Sequence, residues 1–407
     1  MRFAEVYGRF RVGGLSCEEA AELLGTSLSS FYRWRGRYAA DGVAGLADGR
    51  LGKASARRAP VDEVTRVLAL YETHYFDFTV KHFHEKLVAE HRVERSYSWT
   101  KNALQAAGTV KRAKRRGQHR RKRVRRPMVG MMLHQDGSRH EWVAGQEWDL
   151  IVTMDDADNT IYSGFFVAEE GTMSSFEGLQ RVIETHGLFG SLYADRGSHY
   201  WLTTEAGGKV DREHPTQVHR ALEQLGIELI PAYSPEARGR SERMFGTIQR
   251  RLPQELRLAG ITDMVTANRF LAEHFIAAHN RRFRSAPAVA ESAFVAYAGR
   301  DLADILCVQE QRTVGNDNTV RYRGLLLQIP PDRHRCHYVK CKVRVHEHPD
   351  GSLAVFHGPR CLARYDATGR PDEPEPTLNP AGRARPVDLW TTLRAAHNPT
   401  GPSAAVI

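Results

Sequence analysis

The feature that most constrains this chain is a block of charge. Residues 111–126, KRAKRRGQHRRKRVRR, hold eleven Lys or Arg and no acid. A block this dense stays extended by self-repulsion or meets a polyanion. Without it the chain has 47 basic and 48 acidic residues, so the net charge of +10 is local rather than spread over the surface. A solvated linker is the plain alternative, and the flanking segments decide between the two.

Ahead of the block the pattern is helical. In GLSCEEAAELLGTSLSSFYRWRGRY, Ser16 with Glu19 makes a capping-box pattern, and Ala20, Ala21, Leu23 and Leu24 follow at helical spacing. Gly25 breaks that helix, and Thr26 or Ser27 can cap the next, whose Leu28, Phe31 and Trp34 share a face. Two short helices around a tight Gly turn predict a helix-turn-helix over 1–50. Ser29, Ser30, Tyr32 and Arg33 lie on the other face, as small polar and cationic groups suited to base edges and phosphates. An ordinary helical hairpin would show the same pattern, but Arg33, Arg35 and Arg37 at the helix exit favour DNA. A second helix-turn-helix-like unit is expected over 61–110, with Val64, Val67, Leu68, Tyr71, Phe83, Leu87, Ala103, Leu104 and Ala107 inside. Ser96 can cap its last helix, leaving Ser98, Lys101 and Asn102 as candidate readers. In the linker 111–127, Arg115, Arg116, Arg120, Arg121, Lys122 and Arg123 are the candidate phosphate contacts.

Beyond Pro127 the periodicity changes. MVGMMLHQD, EWDLIVTMDD, TIYSGFFVAEE, SLYAD and GIELIPAY are strand-length apolar runs, interrupted by helical SSFEGLQRVIETHG and TQVHRALEQLG and followed by a long helix after Pro235. Three strands, a helix, a strand, a helix, a strand and a helix predict an α/β layer with a mixed sheet over 128–300, helical again across 262–298. Short strands from Thr313 to Tyr365 predict a small β-barrel over 301–366, and 367–407 is expected to be disordered. The fold class is therefore multidomain: N-terminal all-α units, a central α/β core and a C-terminal β module.

Three acids stand at the ends of expected core elements: Asp136 ending the first strand, Asp195 ending SLYAD, and Glu242 one to two turns into the long helix. Carboxylates converging from two strands and a helix repel one another unless a cation lies between them. Hard oxygen donors with room for water suit Mg²⁺ or Mn²⁺. Two such ions can activate an attacking oxygen and stabilise a leaving oxygen at one phosphate.

HQDGSRHEW, LYADRGSHY and YSPEARGRSERMFGTIQRRL resemble the three acidic blocks of DDE transposases with a retroviral-integrase-type core, the ISNCY group of bacterial insertion-sequence transposases in particular. The resemblance runs over nearly the whole chain. It implies an RNase H-like core with Asp136, Asp195 and Glu242 as catalytic and metal-holding residues. It further implies metal-dependent nicking at element ends, and attack of the freed 3′-OH on target DNA without a covalent enzyme intermediate. Double-stranded DNA and further copies of the chain in a synaptic complex are the implied partners. Two departures stand out. Gln249 occupies the place seven residues after the glutamate where many such cores carry Lys or Arg, with Arg250 and Arg251 beside it, so the DNA contact is open among the three and Arg250 is the expected candidate. The Asp195–Glu242 interval is long, and WLTTEAGGKVDREHP reads as the insertion.

Rival readings of the same residues are weaker. Asp155 and Asp156 could pose as the first acid, but the core would then lose its outer strand, so they read as strand-end and turn residues. His334, Cys336, His337, Cys341, His346 and His348 lack the paired spacing of structural zinc sites. Ser198 and His199 have no nucleophile elbow around them. Five scattered cysteines make no disulfide framework, no uninterrupted apolar window spans a membrane, and the start carries no secretory pattern, so a nucleoid-associated protein of a reducing cytosol is expected. A DNA-binding regulator with a dead core, or a structure-directed nuclease, are the alternative functions. The intact acids speak against the first and the paired DNA readers against the second.

Overall fold

The computed structural model describes residues 2–48, 58–112, 124–203, 208–233, 239–299, 301–331 and 334–372. The chain forms two compact units, Met1–Phe76 with His84–Arg112, and Asp77–Phe83 with Ala113–Ile407. The basic residues Arg115, Arg116, Arg120, Arg121, Lys122 and Arg123, and the tail beyond 372, lie outside the described residues.

The first unit begins with α1 (Arg2–Arg11), α2 (Cys17–Leu23) and α3 (Leu28–Asp41), closed by a 3₁₀ turn at Gly42–Leu46. Ser16 Oγ accepts the Glu19 N–H at 3.1 Å while the Glu19 carboxylate accepts the Ser16 N–H at 2.7 Å, a complete capping box. Gly25 turns the chain at φ +63°, and Ser27 rather than Thr26 caps α3. Helix α1 has no cap to announce it in the sequence; its Phe3 and Val6 complete the cluster around Ala20, Ala21 and Phe31. Three more helices follow, α4 (Val61–Thr73), α5 (Val80–Ala89) and α6 (Tyr97–Ala106). Ser96 caps α6, Val67, Tyr71, Leu87 and Leu104 are buried, and Arg95 reaches Glu63 at 2.6 Å.

The second unit is built on β1 (Leu133–Val143), β2 (Gln146–Asp155), β3 (Ile161–Val167), α7 (Thr172–His186), β4 (Ser191–Ala194), the small hairpin β5 (Leu202–Thr203) and β6 (Val210–Asp211), α8 (Gln217–Gln224) and β7 (Glu228–Pro231). Its five-stranded sheet has the order β3-β2-β1-β4-β7, with β1–β3 antiparallel and β4 and β7 running parallel to β1. The hairpin occupies the expected insertion. One sheet face packs on α7 and α8 through Leu133, Phe176, Leu179, Val182 and Leu222. The other is covered by α9 (Ser241–Ile248), α10 (Leu252–Leu258), α11 (Met264–Phe270) and α12 (Ile276–Phe283).

Several expectations need correction. The single long helix after Pro235 is two, because Pro253 cannot continue α9 and instead opens α10. Helix ends at Phe283 rather than near 298; the remainder runs irregularly and forms isolated bridges Val129–Ser292 and Leu188–Val295. The C-terminal β module is not a closed barrel among the described residues. After α13 (Leu302–Ile305), β8 (Val308–Thr313), β11 (Lys342–Glu347), β12 (Leu353–His357) and β13 (Arg360–Tyr365) form an open four-stranded sheet beside the hairpin of β9 (Thr319–Tyr322) and β10 (Leu325–Gln328). Strand β8 escapes a reading of the sequence because VQEQRT is mostly polar. No helix of the described residues is long and apolar enough to cross a membrane.

Candidate active site

Side chains alternate along a strand, so His134, Asp136, Ser138 and Trp142 share one face of β1. In the parallel ladder His134 pairs with Tyr193, and their rings meet at 5.1 Å. Two positions further along each strand stand Asp136 and Asp195. Asp136 is still within β1 there, whereas Asp195 lies one residue past the end of β4 and beyond the ladder. Asp136 is buried and lies within β1 rather than at its end, because the β1–β2 hairpin continues to Val143. Asp195 directly follows β4, and its Oδ1 accepts the Gly197 N–H at 2.7 Å.

Helix α9 lies over this face. At its start the Arg240 guanidinium pairs with the Asp156 carboxylate, which also bonds His134 Nε2 at 2.8 Å. At its far end Gln249 Nε2 donates to Ser138 Oγ at 3.0 Å. Between them Met244, Phe245 and Ile248 pack on Trp142, Leu150, Val152 and Met154. Glu242 is exposed in the first turn of α9, not one to two turns in. Among the described residues, no three His, Cys, Asp or Glu side chains converge closely enough to hold one ion. The structure thus places Asp136 within β1, Asp195 just past β4 and Glu242 in the first turn of α9, without a three-carboxylate cage among the described residues. Mg²⁺ commonly takes one or two carboxylates, keeps several waters and shares substrate phosphates.

Glu170, which sequence reasoning missed, and His199, which it set aside, lie by Gly137 and Asp195. A Cβ at Gly137 would collide with the Glu170 carboxylate. His199 Nε2 stands 3.6 Å from Glu170 Oε1, and burial lowers its basicity, partly offset by the nearby Asp195. Beneath them Tyr200 is buried, donates to Gln135 Oε1 at 2.8 Å, and has its phenol pushed far above the usual range by burial. The glycine after Asp136 was the available signal, marking a close approach by some other group.

Asp155 and Asp156 play structural parts. Asp155 is fully buried on the opposite face and accepts N–H bonds from Gly130 (2.8 Å) and Ala157 (2.7 Å). Asp156 fastens α9 through Arg240.

In the first unit Ser29, Tyr32 and Arg33 are exposed on α3, whereas Ser30 is half-buried and takes a 2.9 Å bond from Ser27 Oγ within the helix cap. Asn102 is exposed and Lys101 half-buried on α6. Arg250 is exposed, while Arg251 lies over the Phe283 ring at 5.1 Å and Gln249 is engaged by Ser138.

Residues 12–63 match a family described as winged helix-turn helix. The y4bF protein of Sinorhizobium fredii, named as a transposase, is 30% identical over 357 residues, covering 86% of this chain and 77% of the relative. The chain belongs to the transposase family. It is also 30% identical over 161 residues to the transposase for insertion sequence IS1202 of Streptococcus pneumoniae, covering 40% of this chain and 34% of that one. A Mos1 strand transfer complex overlays with a TM-score of 0.30 at 16% identity, covering 69% of this transposase and 90% of that chain, too loosely to carry structural detail.

Proposed function

We propose that this transposase cuts and joins DNA by a DDE mechanism on an RNase H-like core, with Asp136, Asp195 and Glu242 as its acids. The observation that supports the reading is that Asp136 and Asp195 each stand two residues beyond the paired His134 and Tyr193 of neighbouring parallel strands, with α9, which bears Glu242, packed against the sheet. Bound Mg²⁺ or Mn²⁺, in one or two ions, would supply Lewis acidity at the scissile phosphate and lower the pKa of an attacking oxygen. Asp136 and Asp195 would hold it from the strands and Glu242 from α9. Gln249 and Ser138 keep the helix in place, and the exposed Arg250 meets the DNA backbone. In the first step water attacks the phosphorus at an element end and the P–O3′ bond breaks, freeing a 3′-OH. In the second, that hydroxyl attacks a target phosphodiester in line and expels the target's own 3′ oxygen, which takes up a proton. The exposed α3 residues Ser29, Tyr32 and Arg33, with Ser30 at the cap and with Lys101 and Asn102 on α6, would read the element ends. The basic linker would neutralise their phosphates.

The test uses the full chain and a duplex carrying the DNA that flanks its reading frame. Glu242→Gln is expected to leave binding unchanged while lowering Mg²⁺-dependent cleavage by about 10²-fold or more. Cleavage that persists after exhaustive chelation, or that is untouched in Glu242→Gln, refutes the assignment.

A further inference from the structure

A second cleft, of about 210 Å³, opens between α9, the β2–β3 turn, the end of the linker and α12. Its charged lining is cationic, with Arg125 from the linker and Arg240 and Arg243 from the start of α9, beside the neutral Asn159 and Thr247. Met154 and Phe283 form apolar walls. Arg125 uses Nη1 to hold the Ala157 carbonyl at 2.7 Å and Ser285 Oγ at 2.8 Å, which fixes its guanidinium at the rim. Arg243 is exposed, with its Nε bonded to the Gly239 carbonyl. Arg240 is paired with the Asp156 carboxylate.

His279, only 6% exposed, lines this cleft, and its Nδ1 is buried with no hydrogen-bond partner. An unpaired buried ring nitrogen is costly unless something binds it. Burial, with the charge of Arg251, lowers the His279 pKa to about 4, so the imidazole is neutral in the empty cleft. Guanidinium forks match phosphate oxygens.

We propose that this cleft binds a phosphate of the DNA backbone, held by Arg125 and Arg243 beside the His279 ring. The proposal rests on DNA being the substrate. It adds an anchor separate from the carboxylates and from Arg250. The cleft adjoins the candidate active site through one chain of contacts, since Arg240 on its wall holds Asp156, which holds His134 two residues from Asp136. A phosphate seated there would fix the strand relative to the carboxylate face.

The test takes the full-length protein, Arg243→Gln and Arg243→Lys, after thermal melts establish that each variant folds as the parent does. The His279 ring resonances are followed by NMR during titration with inorganic phosphate and, separately, with a random-sequence duplex. Duplex affinity is measured across a salt series. The expected result is that both probes move the His279 signals of the parent. Arg243→Gln should weaken the shifts and lower the slope of log K against log salt by about 0.9, the equivalent of one phosphate left unneutralised, and Arg243→Lys should restore much of both. His279 signals that move with inorganic phosphate but not with duplex would overturn the DNA assignment and leave a site for free phosphate. Signals that move with neither probe, or an unchanged salt slope in Arg243→Gln, would overturn the site. A parent that binds no duplex at all would instead refute the proposed function, with the phosphate titration still deciding the chemistry of the cleft.

Discussion

Asp136→Asn and Asp155→Asn make the same chemical change on opposite faces of one sheet, and they should fail in opposite ways. The Asp155 carboxylate accepts three bonds, from the Gly130 N–H (2.8 Å), the Ala157 N–H (2.7 Å) and the Tyr162 hydroxyl (3.2 Å), in a fully buried pocket. An asparagine there keeps a single acceptor oxygen. If that oxygen stays with Gly130 and Tyr162, the new NH₂ confronts the Ala157 N–H and leaves a buried donor unsatisfied, costing about 1–3 kcal/mol. For a folding unit of this size each kcal/mol is worth about 2–4 °C in Tm, so Asp155→Asn should melt roughly 2–12 °C lower. Asp136→Asn preserves shape on the face beneath α9 and removes a charge that the proposed chemistry needs, which should cost about 10²–10³ in rate at nearly unchanged Tm. The assay pairs thermal melts with single-turnover cleavage of the flanking-DNA duplex at matched occupancy. Loss of cleavage in a fully stable Asp155→Asn, with parental rates in Asp136→Asn, would bring down the strand assignment and the catalytic acids together.

Two further outcomes follow from other parts of the chain. Replacing Arg120, Arg121, Lys122 and Arg123 by Gln should weaken binding to every duplex sequence and reduce the salt slope by about 0.9 for each phosphate no longer neutralised; altered sequence preference at constant slope would refute the linker role. The folded pKa of His279, about 4, lies below its unfolded value of about 6.5, so its neutral form stabilises the fold fully above pH 6.5 and that contribution fades as pH falls toward 4. Urea melts should lose at most about 1.4 kcal/mol per pH unit from this residue, and His279→Gln should show a shallower acid loss; identical pH profiles would contradict the burial assigned to it.

What could be read from the sequence was what local chemistry controls. The capping box at Ser16 and Glu19, the turn at Gly25 and the cap at Ser96 all appear where their residue types demand. The strand and helix order of the core follows from periodicity, and with it the neighbouring strands that carry Asp136 and Asp195. What escaped depends on contacts distant in sequence. Helix α1 is uncapped and becomes visible through the aromatic cluster it completes, where the Phe3 ring lies 6.1 Å from Phe31 and 6.0 Å from Trp34. Strand β1 runs on past Asp136 because its polar second half, GSRHE, is held by pairing with β2 rather than by apolar alternation. Glu170 reaches Gly137 from the far end of β3, and only the missing side chain at 137 hinted at it.

The same division explains why two of the proposed acids are set more firmly than the third. Backbone pairing with β2 fixes Asp136, and Asp195 stands just past the end of β4, two residues past the last pair of the β1–β4 ladder. Glu242 depends on side chains that fasten α9 at both ends: Arg240 through Asp156 to His134, and Gln249 to Ser138. Ten helical residues from Arg240 to Gln249 advance about 14 Å at 1.5 Å per residue. The four-residue step from His134 to Ser138 covers about 13 Å at roughly 3.3 Å per residue. Helix and strand are therefore matched in length between their two fastenings, and α9 runs alongside β1 in the same sense. Glu242 then lies about 3 Å along the helix axis from its Arg240 end, and Asp136 about 7 Å along the strand from His134. Along that common direction Glu242 is thus offset from Asp136 by about 4 Å, and the Arg240–Asp156–His134 chain is what sets that offset.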